Sequence, residues 1–234
     1  MLRRILAAAG IRAAAAQGPP DQPPYSPYKD GPASNDIYNL LFAEPDAFKA
    51  RAGQTPAARW HEALFSEPAN VQTLLDLATD SSHDGRIRYL AYTRLREMRH
   101  QITTKTLVGV ITEIPLPAGL DVLAAYSEGG VRYINATGKM AFFEGVTSFR
   151  PHVEALFAAA EAVIARIAPW HQPRRPPPKA GNVRLTFLVS DGLYFGEGPM
   201  AAMQREAMAG PVIQRATELL QATVARAVAP PEKR

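Results

Sequence analysis

One histidine and its neighbouring glutamate begin like the helical motif of zinc proteases. His61 and Glu62 fit its start, but the motif needs a second histidine four residues after the first, so that both imidazoles reach one metal. That position is Phe65, and the other four histidines lie far apart in the sequence without ligand spacing. The sequence therefore predicts no metal site and no cofactor. The absence of cysteine also excludes thiolate ligands, thiol nucleophiles and disulfides.

Two glycine-containing segments partly match nucleotide-binding loops. Residues 196–201 have the spacing of a dinucleotide fingerprint, but the chain that follows has room for one helix and no further parallel strand. Gly138 and Lys139 match the end of a P-loop, yet Tyr133 stands where its first glycine is required and Met140 where it needs Ser or Thr. Hairpin turns and the exit of the chain from the sheet account for these glycines.

Polar residues near the ends of two predicted hairpins are the candidate binding residues. They are Arg132, Tyr133, Asn135, Lys139, Asp191, Tyr194 and Glu197. If the two hairpins adjoin, these side chains would line a cleft; otherwise they decorate an exposed sheet face and its turns. An enzyme at such a cleft would draw its acid and base from Asp191, Glu197, His152 or Lys139. No nucleophile motif accompanies them, so no catalytic residue is assigned.

The elements that must position these residues begin with a β-meander at residues 106–144. Its strands are predicted at 106–114, 119–126, 131–135 and 139–144, and short turns force neighbouring strands to run antiparallel. Pro115 and Pro117 are expected to end the first strand. Residues 183–189 and 193–197 predict a further hairpin around Ser190, Asp191 and Gly192.

Helical periodicity occupies most of the remaining chain. Ser34 or Asn35 is expected to cap a first helix, Asn70 a second, and Asp84 a longer one that runs to about residue 101. Pro151 and Pro211 begin two amphipathic helices that follow the strands. Residues 169–181 contain five prolines and predict a linker or a long surface loop. One face of the longer helix carries four arginines and a histidine, and is either solvated or able to grip phosphate: Arg86, Arg88, Arg96, Arg99 and His100.

The predicted fold class is α+β, with a mainly antiparallel sheet, a four-strand meander plus a hairpin, flanked by amphipathic helices. Residues 1–33 form an N-terminal segment and a proline-rich extended arm, in which Tyr25 and Tyr28 could anchor the arm to the body. Residues 34–101 form a helical region packed on the main domain, residues 102–229 the sheet domain, and residues 230–234 a tail.

Composition and charge limit the possible binding partners of the protein and its cellular compartment. The formal charge of +4 is dispersed over peripheral segments, so binding of nucleic acid is not favoured. No apolar run reaches the roughly 18 residues of a membrane span. A cytoplasmic location is the simpler interpretation; export is the alternative, because Arg3 and Arg4 precede an apolar run that Arg12 interrupts.

The leading hypothesis is a non-enzymatic module that binds a small ligand, a protein partner or a second copy as a homodimer, with the arm reaching a neighbour. The alternative is a small-molecule enzyme.

Overall fold

The structure is a computed structural model that describes residues 23–49 and 59–228. The signal-like segment, the start of the proline-rich arm and the predicted tail lie outside the described residues. The helices within that range are α1 (Pro32–Leu41), α2 (Pro45–Lys49), α3 (Arg59–Phe65), α4 (Val71–Thr79), α5 (Gly85–Glu97), α6 (Arg150–Ile164), α7 (Met200–Met203) and α8 (Ala209–Val228). The strands are β1 (Leu107–Leu116), β2 (Gly119–Tyr126), β3 (Val131–Ile134), β4 (Met140–Phe143), β5 (Asn182–Val189) and β6 (Gly192–Pro199).

The six strands form one antiparallel sheet in the order β4-β3-β2-β1-β5-β6. The predicted meander and hairpin are therefore confirmed, and they join where β1 pairs with β5. The β3–β4 hairpin and the β5–β6 hairpin lie at opposite edges of the sheet, so these two hairpins do not adjoin.

Both faces of the sheet are covered by helices. Val122, Ala124 and Tyr126 of β2 face a core shared with α1 to α5, while Leu123 and Ala125 face a second core shared with α6 and α8. This alternation follows from the two-residue period of a strand. Helices α1 to α5 thus pack on one face of the sheet and α6 and α8 on the other, so the sheet is the middle of three layers. No helix among the described residues is both long and apolar enough to cross a membrane.

Strand β1 does not end at Pro115, contrary to the prediction. It continues through Pro115, which pairs with Leu120 of β2. Pairing of β1 with β5 stops earlier, at Glu113 and Arg184. Beyond Glu113 the strand therefore has a partner on one side only, and a proline is tolerated where the ladder needs no donor.

Two of the three predicted helix caps are confirmed. Asn70 accepts a hydrogen bond from the backbone of Thr73 at the start of α4, and Asp84 accepts one from the backbone of Arg86 at the start of α5. Helix α5 ends at Glu97, four residues before the predicted end, and α8 begins two residues before Pro211.

The first helix begins earlier than predicted, at Pro32, which suits a first helical position because its φ is already helical. Ser34 and Asn35 are therefore inside α1 and do not cap it. Ser34 Oγ instead donates to the carbonyl of Gly138 at 2.8 Å, and the Asn35 amide bonds the backbone of Tyr28. Tertiary contacts thus use the side chains that the local pattern assigned to a cap.

The described part of the proline-rich arm packs on its own chain. Tyr25 and Tyr28 are both buried, in agreement with their predicted anchoring role. Tyr28 Oη donates to the carbonyl of Leu120, and the Asn39 side chain bonds both the N–H and the carbonyl of Tyr25. These contacts hold the arm against α1 and the sheet.

The proline-rich segment that follows α6 is more than a surface loop. Its backbone bridges β6 where the N–H of Trp170 donates to the carbonyl of Leu193 at 2.7 Å. Its Arg174 is only 7% exposed and donates to Glu44, Tyr38 and Asn39 at 2.6–2.9 Å. The prediction of a linker or surface loop was wrong at Arg174, because this arginine of a proline-rich, polar segment enters the core and forms an ion pair with Glu44.

Candidate functional site

The structure places the seven predicted binding residues in two separate groups. Arg132 and Tyr133 belong to β3, with Asn135 and Lys139 in the turn that follows, whereas the other three lie on or next to β6 at the opposite edge of the sheet. Three strands stand between the groups. The seven side chains therefore do not line one cleft.

The three predicted residues at β6 form hydrogen bonds with each other or with neighbouring side chains of the β5–β6 hairpin. Tyr194 Oη donates to Asp191 Oδ2 at 2.8 Å. Glu197 accepts two hydrogen bonds from Arg184 at 2.6 and 3.0 Å and one from Asn182. Burial raises the pKa of Glu197, but Arg184 outweighs it, so the pKa is lowered and the carboxylate stays ionised.

In the other group, the side chains of Asn135 and Tyr133 form hydrogen bonds within the meander. Asn135 Oδ1 accepts from the backbone N–H of Thr137 and of Lys139, which fixes the β3–β4 turn, while the Lys139 side chain is exposed. Tyr133 Oη donates to Asp121 Oδ2 at 3.0 Å, and burial together with this carboxylate raises the pKa of Tyr133 to about 12.

The proposed acid and base groups are likewise dispersed. Lys139 follows β3 at one edge of the sheet, while Asp191 and Glu197 lie at the other. His152 belongs to α6, close to Glu218 of α8. The structure does not bring these predicted acid and base groups together.

The environment of Arg132 differs from that of the other six predicted binding residues. Its side chain is 6% exposed, and Nη2 donates to Asp84 Oδ2 and to Glu144 Oε1, both at 2.9 Å. The guanidinium lies 5.1 Å from the centre of the Tyr126 ring. Nη1 is buried and has no hydrogen-bond partner among the residues that the structure describes. An unsatisfied buried donor is costly, so this nitrogen requires an explanation.

Beside this arginine lies a cleft of about 570 Å³, which is lined by both of its carboxylate partners, Asp84 and Glu144. Its walls come from the α4–α5 loop, the β2–β3 turn and the segment that joins β4 to α6. The lining residues are Ser81, Ser82, Asp84, Ser127, Glu128, Gly130, Glu144, Gly145 and Arg150. A volume of this size suits a small molecule. Sheet order and the packing of α5 on the sheet bring these three separate segments together.

Helix α5 holds the acidic side of the cleft in place. A Cβ on Gly85 would overlap the carbonyl oxygen of Val108, so only glycine lets the start of α5 approach β1 this closely. The N–H of Gly85 donates to Glu128 Oε2 at 2.9 Å. Burial, with the nearby charge of Asp84, raises the pKa of Glu128 to about 6. A carboxyl group with this pKa in a cleft is a common sign of a functional site.

The pKa of Asp84 is shifted in the direction opposite to that of Glu128. Burial raises its pKa, but hydrogen bonds and charge from Arg86 and then the charge of Arg132 outweigh that effect, so the pKa is lowered. Arg86 Nη2 lies 2.6 Å from Asp84 Oδ2. Asp84 is therefore ionised and fixed by two guanidinium groups as well as by its role as helix cap.

Gly130 creates space beside two groups of opposite charge. A Cβ at this position would lie 2.6 Å from Glu128 Oε1 and 3.3 Å from Arg132 Nη1. Because Gly130 has no side chain, the cleft reaches toward both groups at this point of its wall. Glu128 can accept a hydrogen bond from a donor in the cleft, while the buried Nη1 of Arg132 lies behind the wall at Gly130.

Of the predicted arginine face, Arg88 is buried, Arg86 and Arg96 are partly buried, and Arg99 and His100 lie beyond the end of α5. Arg88 is 6% exposed and donates to the carbonyl of Ala78 and to Ser127 Oγ, and Arg96 donates to the carbonyl of Ser190. Interpretation as a solvated face was wrong for Arg88, because the helix turns this side chain toward the sheet. The bonded donors are also not free for phosphate.

The remaining chemistry of the described residues is limited. They contain no group of three or more His, Asp or Glu side chains that could hold a metal ion. No protein family model matches the chain, and no curated protein sequence matches it. Sequence analysis named Arg132 as a candidate and Asp84 as a helix cap, and it singled out neither Glu128 nor Glu144 as a site residue. The one local sign of the cleft in the sequence is Glu128, a charged residue next to the glycines of the β2–β3 turn.

Proposed function

We propose that the protein is a non-enzymatic binding module and that the cleft beside Arg132 takes a small polar ligand. The observation that carries the proposal is the buried, unpartnered Nη1 of Arg132, next to Glu128 and the gap at Gly130. A buried donor without a partner costs about 1–3 kcal/mol or more. A ligand oxygen that approaches Nη1 from the gap would offset this cost and so gain affinity.

Binding is favoured over catalysis by the chemistry of the lining. Ser127 Oγ already accepts a hydrogen bond from Arg88, and no histidine lines the cleft to act as its base. Glu128 is a candidate acid or base by its pKa, but it stands without an activated nucleophile among the described lining residues.

The test is a titration of the isotope-labelled full chain, followed by the backbone amide signals of Gly85 and Gly130. Mixtures of amino acids, short carboxylates, amines and sugars serve as probes. Saturable shifts of both amides are expected. Gly130→Ala should weaken binding about tenfold, because its Cβ fills the gap. Gly196→Ala is the matched control, since its Cβ would meet only Met203 at an ordinary 3.7 Å. No saturable shift with any probe would contradict the proposal.

A second candidate function is self-association through β4, which is an outer strand of the sheet. Its Met140 and Phe142 are 38% and 47% exposed, whereas the outer side of β6 is bridged by Trp170. The N–H of Asn135 donates to the carbonyl of Lys139, so in the alternating antiparallel ladder the backbone groups of Met140 and Phe142 point outward.

A second copy of the chain is the partner that this strand fits. A two-fold axis perpendicular to the sheet at Ala141 would place Met140 of one protomer opposite Phe142 of its partner, twice. The strand has four residues, so a weak dimer is expected. Light scattering over a range of concentrations tests this: Phe142→Lys should remove the dimer and Leu116→Lys, at another exposed position, should keep it. A monomer at every concentration would exclude self-association.

A further inference from the structure

We infer that the ligand of the cleft is a small zwitterion with an ammonium and a carboxylate group, of the α-amino acid class. This inference rests on the proposed binding function. It follows from the positions of the charged groups on and beneath the lining.

The acidic side of the cleft fits an ammonium group. Glu128 lies in the β2–β3 turn, and Glu144, whose side chain is 75% exposed, follows β4. Asp84 also lines the cleft, but Arg86 and Arg132 already compensate its charge. Glu144 also bonds Arg132, but its side chain is largely exposed, so Glu128 and Glu144 are the carboxylates that a ligand cation can reach more readily.

The basic side fits a carboxylate. Arg150 is the first residue of α6, is exposed, and forms no ion pair or side-chain hydrogen bond with the described residues. Arg132 contributes Nη1, which lies beside Gly130 and requires an acceptor. Guanidinium groups match the geometry of carboxylates; Arg150 lines the cleft, and Arg132 lies behind Gly130 of the same wall.

The balance of charges argues against a ligand with one sign of charge. The carboxylates of Glu128 and Glu144 would repel a polyphosphate. The guanidinium groups of Arg150 on the lining and of Arg88, which donates to Ser127, would repel a polyamine. A molecule that carries both charges meets an opposite charge at each end. Hydroxyls of Ser81, Ser82 and Ser127 add donors and acceptors for a polar side chain of the ligand.

The test uses the full chain and three matched probes. L-glutamine carries both charges, 4-aminobutanamide lacks the carboxylate, and glutaramic acid lacks the ammonium group. Each is titrated while the amides of Gly85 and Gly130 are followed, after the twenty amino acids have been ranked in the same way. If another amino acid ranks first, it replaces L-glutamine together with its decarboxylated and deaminated analogues. The amino acid is expected to bind at least tenfold more tightly than either analogue.

Two variants assign the charges to residues. Arg150→Gln and Glu128→Gln should each weaken binding of the amino acid about tenfold or more, because each removes one charged partner. Arg150→Gln should leave the affinity for 4-aminobutanamide unchanged, which a merely structural role would not do. Arg215→Gln is the control: it removes the same charge on α8, where Arg215 pairs with Glu218 at 2.8 Å.

The outcomes separate the ligand class from the proposed function. If putrescine, succinate or glucose shifts the Gly130 amide saturably while no amino acid does, the zwitterion is wrong and the cleft remains a binding site. If amino acids bind without shifting Gly85 and Gly130, the site is wrong. If no probe binds, both proposals fail.

Discussion

Arg174 joins the proline-rich segment after α6 to the first helices, and its replacement by methionine tests that role. The guanidinium bonds Glu44 through Nε, Tyr38 through Nη1 and Asn39 through Nη2. It also lies 3.9 Å from the centre of the Phe42 ring. Methionine keeps the apolar stem against the aromatic rings and removes all three hydrogen bonds.

The expected loss of stability is about 3–5 kcal/mol, because removal of one member of a buried ion pair leaves the other uncompensated. Glu44 would retain its buried carboxylate, whose pKa burial already raises. Loss of Arg174 would raise that pKa further and expel the charge or admit water. For a chain of this size, about 3–5 kcal/mol lowers the melting temperature by on the order of 10 °C.

Urea denaturation followed by circular dichroism measures the free energy of unfolding. Arg175→Met is the matched control, since Arg175 is the next residue, carries the same charge and is exposed. Its loss should change stability by less than about 0.5 kcal/mol. A double variant with Glu44→Gln should lose less than the two single variants together, because their contacts are shared. If Arg174→Met and Arg175→Met unfold at the same urea concentration, the structural role assigned to Arg174 is wrong.

The remaining predictions concern the walls of the cleft and one helix cap. Gly85→Ala should cost about 1–3 kcal/mol or more in thermal denaturation, because its Cβ would overlap a backbone carbonyl of β1, while Gly196→Ala should be nearly neutral. The pKa of Glu128 is raised from 4.5 to about 6, so the folded state holds the proton more tightly and stability falls as pH rises between these values. Glu128→Gln should therefore gain about 2 kcal/mol relative to the parent protein across that window; parallel pH profiles would contradict this. Asn70→Ala should cost about 1 kcal/mol by loss of the cap on α4, and an unchanged urea midpoint would refute it.

Local patterns predicted the elements well because each depends on near neighbours in the chain. Alternation and short turns located all six strands, and Asn70 and Asp84 were identified as caps because each precedes a segment with helical periodicity; their capping hydrogen bonds span only three and two residues. Pro115 was misjudged because its effect depends on where β5 stops pairing, which the residues around it do not encode. The same limit applied to Ser34, whose partner is Gly138.

The cleft could not be predicted because its walls come from residues 81–84, 127–130 and 144–150. Each segment alone looks like an ordinary loop with a turn-forming glycine or serine. Their approach depends on β3 and β4 lying outside β2, and on Gly85 letting α5 lie close to β1. Arg132 was selected as a polar residue on a hairpin, whereas its importance comes from Asp84, which is 48 residues away in sequence.

Comparison of the buried arginines separates a structural role from a ligand-binding one. In Arg174 and Arg184 all three guanidinium nitrogens have partners, so their networks are complete within the described chain. Arg132 is equally buried, yet its Nη1 has none. If burial alone explained these arginines, the incomplete network would have no reason to coincide with a cleft. Because the unpartnered nitrogen lies beside Gly130, which lines the cleft, Arg132 is the buried arginine for which we propose a role toward a molecule in the cleft.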